Sequence, residues 1–178
     1  MYNMQIMIWL FPILFIFHDF EEIIFMKVWI RKNREYLSER FPSLSKRLLP
    51  HFDRITTASF ALGVAEEYII ISVITVVSYM THWYSLWVGL FIAFTLHLII
   101  HCVQVLIVRR YVPAIVTSVI CLPVCIYMIQ YVMMFYMLDT VILYSVVGLV
   151  IMVVNLVFVH RGMDVFDKWL VRYEKESK

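Results

Sequence analysis

Five long apolar runs constrain the fold of this chain more than any other feature of its sequence. Each is about 20 residues long, which is the length of helix that the hydrocarbon core of a bilayer requires. Of the 178 residues, 63% are hydrophobic and only 4 are glycine, which excludes a disordered chain and an ordinary soluble domain. We therefore predict an all-α, polytopic helical bundle that forms a single transmembrane domain. Its five predicted spans lie at about 4–26, 56–80, 84–108, 112–136 and 140–160.

The positive charges predict how these spans are oriented. All 15 lysines and arginines fall in the connection 27–55, in the loop at Arg109 and Arg110, or in the tail 161–178. With five spans, these three segments lie on the same side of the membrane, and the two opposite loops carry no positive charge. Because cytoplasmic loops are enriched in lysine and arginine, we predict that the N-terminus lies outside and the C-terminus in the cytoplasm. The predicted protein is a multi-pass protein of the cell membrane.

The two longer cytoplasmic segments, the connection 27–55 and the tail 161–178, mix basic residues with aromatic and aliphatic ones. This pattern predicts amphipathic helices on the inner leaflet, where lysine and arginine contact anionic lipids. Both segments are short, contain acidic residues and flank spans, so they do not indicate a nucleic-acid partner.

Several ionisable residues lie inside the first three spans, in the cytoplasmic half of the membrane. A charged side chain at the bilayer centre costs on the order of 3 kcal/mol, so such residues need partners or a cavity. Counting the helical rise of about 1.5 Å per residue from each cytoplasmic end places the residues of all three spans at matching depth. We therefore expect them to converge. They are His18, Asp19, Glu21, Glu22, Glu66, Glu67, His97 and His101.

Imidazole and carboxylate groups together are typical ligands of zinc, iron and manganese, so the convergence predicts a site for one or two divalent ions. The predicted ligands are His18, Glu22, Glu66, His97 and His101. Adjacent Glu66 and Glu67 point about 100° apart on a helix, so only one is a ligand, and the sequence leaves both choices open. Whether both histidines of the third span are ligands also stays open.

The remaining polar residues have predicted roles beside the metal. A glutamate that is not a ligand, Glu21 or Glu67, is the candidate catalytic base that deprotonates water. The residues expected beside the ligands or against the substrate are Asp19, Gln104, Tyr111 and Pro113.

The motif His18-Asp-Phe-Glu21-Glu22 resembles the name motif of the HXXEE-domain proteins. That family also has a further histidine, which would be His97 or His101 here, and a Tyr-x-Pro-Gly motif. Tyr111-Val112-Pro113-Ala114 stands in the place of the latter. Because alanine does not readily adopt positive φ, we do not expect a tight turn at Ala114. The family has no established activity, so the resemblance implies the site and not the reaction.

These observations favour a metal-dependent membrane enzyme that acts on a lipid or another amphiphile at the cytoplasmic leaflet. Hydrolysis is the first expectation because it needs no further cofactor, and iron-based oxidation by the same ligands is the second. One alternative is a proton- or cation-coupled transporter, although the fourth and fifth predicted spans carry no charge and no inverted repeat is present. Self-association into a homo-oligomer would be one way to complete a transport path. Another alternative is an accessory subunit that uses the polar residues only for assembly.

Overall fold

The structure is a computed structural model that describes residues 2–176. This part of the chain folds into seven α-helices and contains no β-strand, so the all-α prediction is confirmed. The helices are α1 (Tyr2–Met7), α2 (Leu10–Arg40), α3 (Pro42–Arg54), α4 (Thr57–Thr81), α5 (Ser85–Val108), α6 (Ile115–Val132) and α7 (Leu138–Glu176).

Four of the described helices, α4 to α7, are long and apolar enough to cross a membrane. They indicate a membrane protein, and they correspond to the last four predicted spans. The first predicted span falls on α1 and the first half of α2. Helix α2 is not counted among the four because Asp19, Glu21, Glu22 and Lys27 interrupt its apolar segment.

The predicted connection 27–55 is helical throughout most of its length. Helix α2 continues to Arg40, and α3 folds back against it. Lys27 of α2 donates hydrogen bonds to the carbonyls of Asp53 and Ile55, each at 2.7 Å. These carbonyls lie at the C-terminal end of α3, where unpaired acceptors and the helix dipole both favour a cation. The lysine therefore fixes the α2–α3 hairpin.

The beginning of α4 is attached to the distal part of α7. Thr56 and Ser59 form a reciprocal capping box at the N-terminus of α4. Asp167 of α7 accepts hydrogen bonds from the Thr56 hydroxyl at 2.7 Å and from the Ser59 hydroxyl at 2.9 Å. Helix α7 is thus continuous from the membrane segment into the predicted tail, and it packs against α4 there.

An aromatic layer joins α2 to α5. Trp87 and Phe91 stack with ring centroids 5.0 Å apart, and Phe11 of α2 meets both rings edge-on. Phe94 continues the layer along α5 and contacts the His18 ring edge-on, with the two ring centroids 5.8 Å apart. All of these aromatic side chains are buried. The buried aromatic layer therefore packs directly against the polar residues of α2 and α5.

Helices α5 and α7 approach each other closely at two glycines. A Cβ atom added at Gly148 would overlap the backbone of Gly89, and one added at Gly89 would overlap the backbone of Tyr144. Small residues permit this kind of close helix contact in membranes.

Candidate functional site

Three histidines from two helices form the centre of the candidate site. His97 and His101 lie one turn apart on α5, and His18 faces them from α2. Each offers one ring nitrogen, and these three atoms lie within 4.8 Å of one another. The Nε2 atoms of His97 and His101 are 3.0 Å apart. His18 is fully buried and His101 nearly so.

The hydrogen bonds of Thr117, in the first turn of α6, determine which nitrogen of His18 is free. The Thr117 hydroxyl has a single hydrogen, and its shortest contact is to Glu21 Oε2 at 2.7 Å, compared with 3.2 Å to the Ala114 carbonyl. We assign the hydrogen to Glu21, so that the hydroxyl oxygen accepts from His18 Nδ1 at 3.2 Å and Nε2 carries a lone pair. Nε2 is buried and has no hydrogen-bond partner among the residues that the structure describes. A histidine held in this way is typical of a metal ligand, whose other ring N–H is bound by a neighbouring group.

Glu22 adjoins the cluster at His101, although the three-residue group whose ligand atoms all lie within 4.8 Å of one another consists of the histidines alone. Its Oε1 lies 3.2 Å from Nε2 of His101. Zinc bonds of about 2.0–2.1 Å in a tetrahedral arrangement separate neighbouring ligand atoms by roughly 3.3 Å. The separations of 3.0 Å and 3.2 Å at His101 match that spacing. Together with the unpartnered nitrogen of His18, these residues fit a divalent metal ion.

Glu21 has a different environment from Glu22. Its carboxylate accepts hydrogen bonds from the Tyr111 hydroxyl at 2.7 Å and from the Thr117 backbone N–H at 2.8 Å. The residue at the N-cap of α6 is Ala114, whose side chain cannot cap the helix. Glu21 therefore performs the capping from another helix, where the exposed N–H groups and the helix dipole favour an anion. Burial, and after it the hydrogen bond to Glu21, raises the pKa of the Tyr111 phenol above its ordinary value.

The turn before α6 differs from the sequence-based expectation. Ala114 adopts φ of 75°, which is the left-handed conformation that glycine would occupy in a Tyr-x-Pro-Gly motif. The argument from the sequence that alanine makes a tight turn here doubtful is therefore wrong. Tertiary contacts stabilise this backbone conformation, because Pro113 and Ala114 are buried and Glu21 accepts hydrogen bonds from the N–H groups that follow them.

A cavity of about 140 Å³ adjoins the histidines, enclosed by α2, α4, α5 and α7. Its wall is mostly aliphatic and aromatic, and none of the described residues that line it is a lysine or arginine. Four polar residues line it where it meets the cluster, namely Asp19, Glu22, Glu67 and His97, and α7 adds Asn155 and His160. Asp19 is 5% exposed, and its Oδ2 atom is buried without a hydrogen-bond partner. The cavity is therefore amphipathic, with an acidic end beside the candidate metal ligands.

The structure distinguishes the two adjacent glutamates of α4. Glu67 lines the cavity, whereas Glu66 is exposed and accepts a hydrogen bond from the Asn155 amide at 3.1 Å. Among the other predicted residues, Gln104 lies exposed on α5, and Pro113 lies buried next to the turn before α6. Glu67 therefore lines the cavity that adjoins the histidine cluster, whereas Glu66 and Gln104 are exposed.

Two site residues were missed from the sequence. Thr117 connects His18 to Glu21, and Asn155 of α7 both lines the cavity and binds Glu66. Thr117 follows the Tyr-x-Pro segment by one helical turn, and this spacing could have indicated that its side chain lies near the site. Asn155 is the only amide side chain in the last predicted span, which singled it out as polar without indicating a partner.

A comparison with protein-family models matches residues 9–128 to a family described as a protein of unknown function with HXXEE motif. The matched segment is more than half of the chain and contains every residue of the histidine cluster. No curated protein and no solved structure matches.

Proposed function

The chain belongs to the HXXEE family, whose function is unknown, and for this member we propose a metal-dependent integral-membrane enzyme that acts on a lipid or similar amphiphile at the cytoplasmic leaflet. The observation that carries the proposal is the amphipathic cavity, whose acidic end coincides with a histidine cluster that fits a divalent ion.

The proposal includes a fifth span, formed by α1 and the first half of α2. The ionisable residues of α2, from His18 to Glu22, are buried inside the bundle. Its outward surface instead carries large apolar side chains at helical spacing: Ile13, Phe17, Phe20 and Ile24. A helix of this kind presents an apolar surface to lipid and its charges to neighbouring helices. With five spans, the distribution of lysine and arginine supports an outside N-terminus and a cytoplasmic C-terminus in the cell membrane.

The residues that would hold the ion are His18, His97 and His101. Glu22, whose Oε1 lies beside His101, would be the fourth ligand. A zinc, iron or manganese ion in this position would supply Lewis-acid or redox chemistry to a bound substrate. Thr117 keeps Nε2 of His18 available, and Glu21 orients Thr117 through its hydroxyl and its backbone N–H. We therefore assign Glu21 a positioning role rather than that of a base.

Glu67 is the better candidate for the general base. It lines the cavity at the acidic end, together with Asp19, so its carboxylate faces the volume that a substrate and an attacking water would share. The oxygens of Glu21, in contrast, already accept hydrogen bonds from Tyr111 and Thr117. Hydrolysis remains the first expectation, since proton removal from water by Glu67 requires no further cofactor.

The apolar wall indicates where the substrate chain would lie. Phe11, Phe15 and Phe94 line the cavity next to the acidic end, and aliphatic residues of α4 and α7 complete it. An alkyl chain packed there would place its polar end at Glu22 and His97. The absence of lysine and arginine from this wall disfavours a substrate whose reacting end is anionic.

Metal content and turnover test the proposal together. Detergent-purified protein, prepared without chelator, is analysed by metal mass spectrometry beside Glu22→Gln, His101→Ala and Glu67→Gln, with the exposed Glu66→Gln as matched control. We expect one or two equivalents of metal in the wild type, loss in Glu22→Gln and His101→Ala, and retention in both glutamine variants of α4.

Turnover is then measured by incubating the metal-loaded protein with a mixed-lipid extract and detecting products by mass spectrometry. Glu67→Gln is expected to lose turnover while keeping its metal, and Glu66→Gln to keep both. A wild type that is metal-free, and that gains none when zinc, iron or manganese is added, contradicts the enzyme proposal. Proton-coupled transport in proteoliposomes would then be the next activity to test.

A further inference from the structure

A second concave surface lies on the cytoplasmic side of the bundle, away from the histidine cluster. This groove, of about 420 Å³, is formed by α2 from Phe25 to Asn33 and by the loop between α5 and α6. Its walls are Phe25, Val28, Trp29, Lys32, Arg110 and Tyr111.

The groove changes from apolar to cationic along α2. Phe25 and Val28 are 47% and 52% exposed, and Lys32 follows one turn later. From residue 25 to residue 32 the helix rises by about 10 Å, so the change occurs over the thickness of a lipid headgroup region. An apolar surface below a cationic one, at the cytoplasmic end of a span, matches the order of acyl chain and headgroup in the inner leaflet.

Arg110 is held in place at the cationic end. Its guanidinium lies 3.6 Å from the centroid of the Tyr36 ring, and one of its N–H groups donates to Asn33 Oδ1 at 3.2 Å. Asn33 is itself fixed, because its amide donates to the Trp29 carbonyl at 2.9 Å. A stacked guanidinium keeps several N–H donors in a planar fork, which suits the oxygens of a phosphate.

Among the side chains that the structure describes, none supplies a counter-charge to the groove. Its lining, as far as it is described, contains no aspartate or glutamate. The one ion pair between a lysine or arginine and a carboxylate among these side chains, which exclude that of Glu174, joins Arg34 to Asp53. Lys32 and Arg110 are therefore free to bind an external anion.

We propose that this groove is a binding site for the phosphate headgroup of an acidic phospholipid of the inner leaflet, with an acyl chain against Phe25 and Val28. A zwitterionic choline lipid fits less well, because its quaternary amine would meet two cations and no carboxylate. The bound lipid would also contact the loop that orients Glu21. The Trp29 indole donates to the Tyr111 carbonyl, and the Tyr111 hydroxyl donates to Glu21.

Native mass spectrometry of delipidated protein in detergent tests the proposal with phosphatidylglycerol and phosphatidylcholine as probes. The test variant is Lys32→Gln with Arg110→Gln. The matched control is Lys168→Gln with Arg172→Gln, which removes the same charge from exposed positions of α7. Loss of charge-assisted hydrogen bonds to phosphate is expected to weaken binding about tenfold or more.

The wild type and the α7 control are expected to prefer phosphatidylglycerol, and the groove variant to lose that preference. Equal loss in both double variants would indicate diffuse surface attraction and overturn the proposal. Retained preference in the groove variant would overturn it too. Competition by soluble glycerol phosphate at the same concentration would reassign the groove to a free phosphate compound and overturn the lipid assignment. If the double variant does not fold, Lys32→Gln alone decides: an unchanged preference overturns the proposal, and a drop of threefold or more supports it.

Discussion

Replacing Thr117 with valine removes a single oxygen that connects His18 to Glu21. Valine has nearly the same shape as threonine, so the packing of α6 against α2 is preserved. The Nδ1–H of His18 loses its acceptor, and Glu21 loses one of its three closest donors. The change therefore isolates the hydrogen-bond function of the hydroxyl.

Two independent arguments give the magnitude of the effect. A buried donor left without a partner costs about 1–3 kcal/mol, and His18 is fully buried. Removing the group that orients a ligating histidine typically reduces metal affinity about 10- to 100-fold, which corresponds to roughly 1.4–2.7 kcal/mol. The two ranges overlap. We therefore expect Thr117→Val to weaken metal binding by at least tenfold.

The assay is competition with a chelator of known affinity, combined with thermal unfolding of the metal-free protein. Thr75→Val in α4 is the matched control, because the Thr75 hydroxyl is fully buried and has no hydrogen-bond partner. Its removal leaves no group unpaired, so metal affinity is expected to be unchanged and stability unchanged or higher. Thr117→Ser retains the hydroxyl and is expected to bind metal within about threefold of the wild type.

A Thr117→Val protein that binds metal within threefold of the wild type would refute the reasoning. So would a Thr75→Val protein that loses as much affinity as Thr117→Val. Thermal unfolding provides a readout that does not depend on metal, since the unpaired His18 donor destabilises the metal-free fold in the same way.

The remaining predictions concern packing, backbone conformation and a surface charge. Gly148→Ala is expected to destabilise the protein by more than about 2 kcal/mol in thermal unfolding, because a Cβ there overlaps the backbone of α5. Gly162→Ala in the same helix is the control, because a Cβ there meets no other atom. It is expected to be neutral or to stabilise the protein by up to about 1 kcal/mol. Ala114→Gly is expected to be tolerated and Ala114→Val to unfold at clearly lower temperature, because a β-branched residue at φ of 75° is strained; equal midpoints would contradict this. The hydrogen bond from Arg34 lowers the pKa of Asp53, so the small stabilisation from this exposed pair is present at neutral pH and is lost as the pH falls through the folded-state pKa. Thermal midpoints of Asp53→Asn and wild type are therefore expected to converge at acidic pH and at high salt, and a difference that persists there would argue against the ion pair.

The convergence of the histidines could be predicted because it depends only on helix geometry. Residues four apart on a helix share a face, and His97 and His101 meet at 3.0 Å between their Nε2 atoms. Counting residues from the cytoplasmic ends placed His18 at the same depth. Neither argument requires knowledge of how the helices are arranged around one another.

The roles of the carboxylates could not be predicted in the same way. Helical periodicity groups His18, Glu21 and Glu22 on one side of α2, but that side borders two different neighbours. Glu21 turns towards α6, whereas Glu22 lines the cavity together with Asp19. Periodicity states which residues share a face and does not state which helix packs against it. The same limitation applies to Glu66 and Glu67. Their different roles depend on where α7 packs, because Asn155 of α7 binds Glu66 while Glu67 lines the cavity.

The turn at Ala114 shows a second kind of limit. A residue's intrinsic backbone preference was overridden by tertiary contacts, because Glu21 binds the N–H groups that follow the turn. The apolar runs of the sequence predict five spans, whereas only four helices of the structure, α4 to α7, are apolar enough throughout, since the charged residues of α2 lower its apolar character. Their burial becomes visible only when the bundle is assembled.

Helix α7 contributes a large part of the cavity wall, including Met152, Asn155 and Val159, yet it lies beyond the segment that matches the family. The histidines, Glu22 and Thr117 all lie within that segment. If the proposed function is correct, the reactive groups and the α7 part of the cavity wall are encoded in separate stretches of this chain. Exchange of α7 alone is then expected to alter the length and width of the accommodated chain while the reactive groups stay in place, which makes this helix a suitable position for directed evolution of specificity.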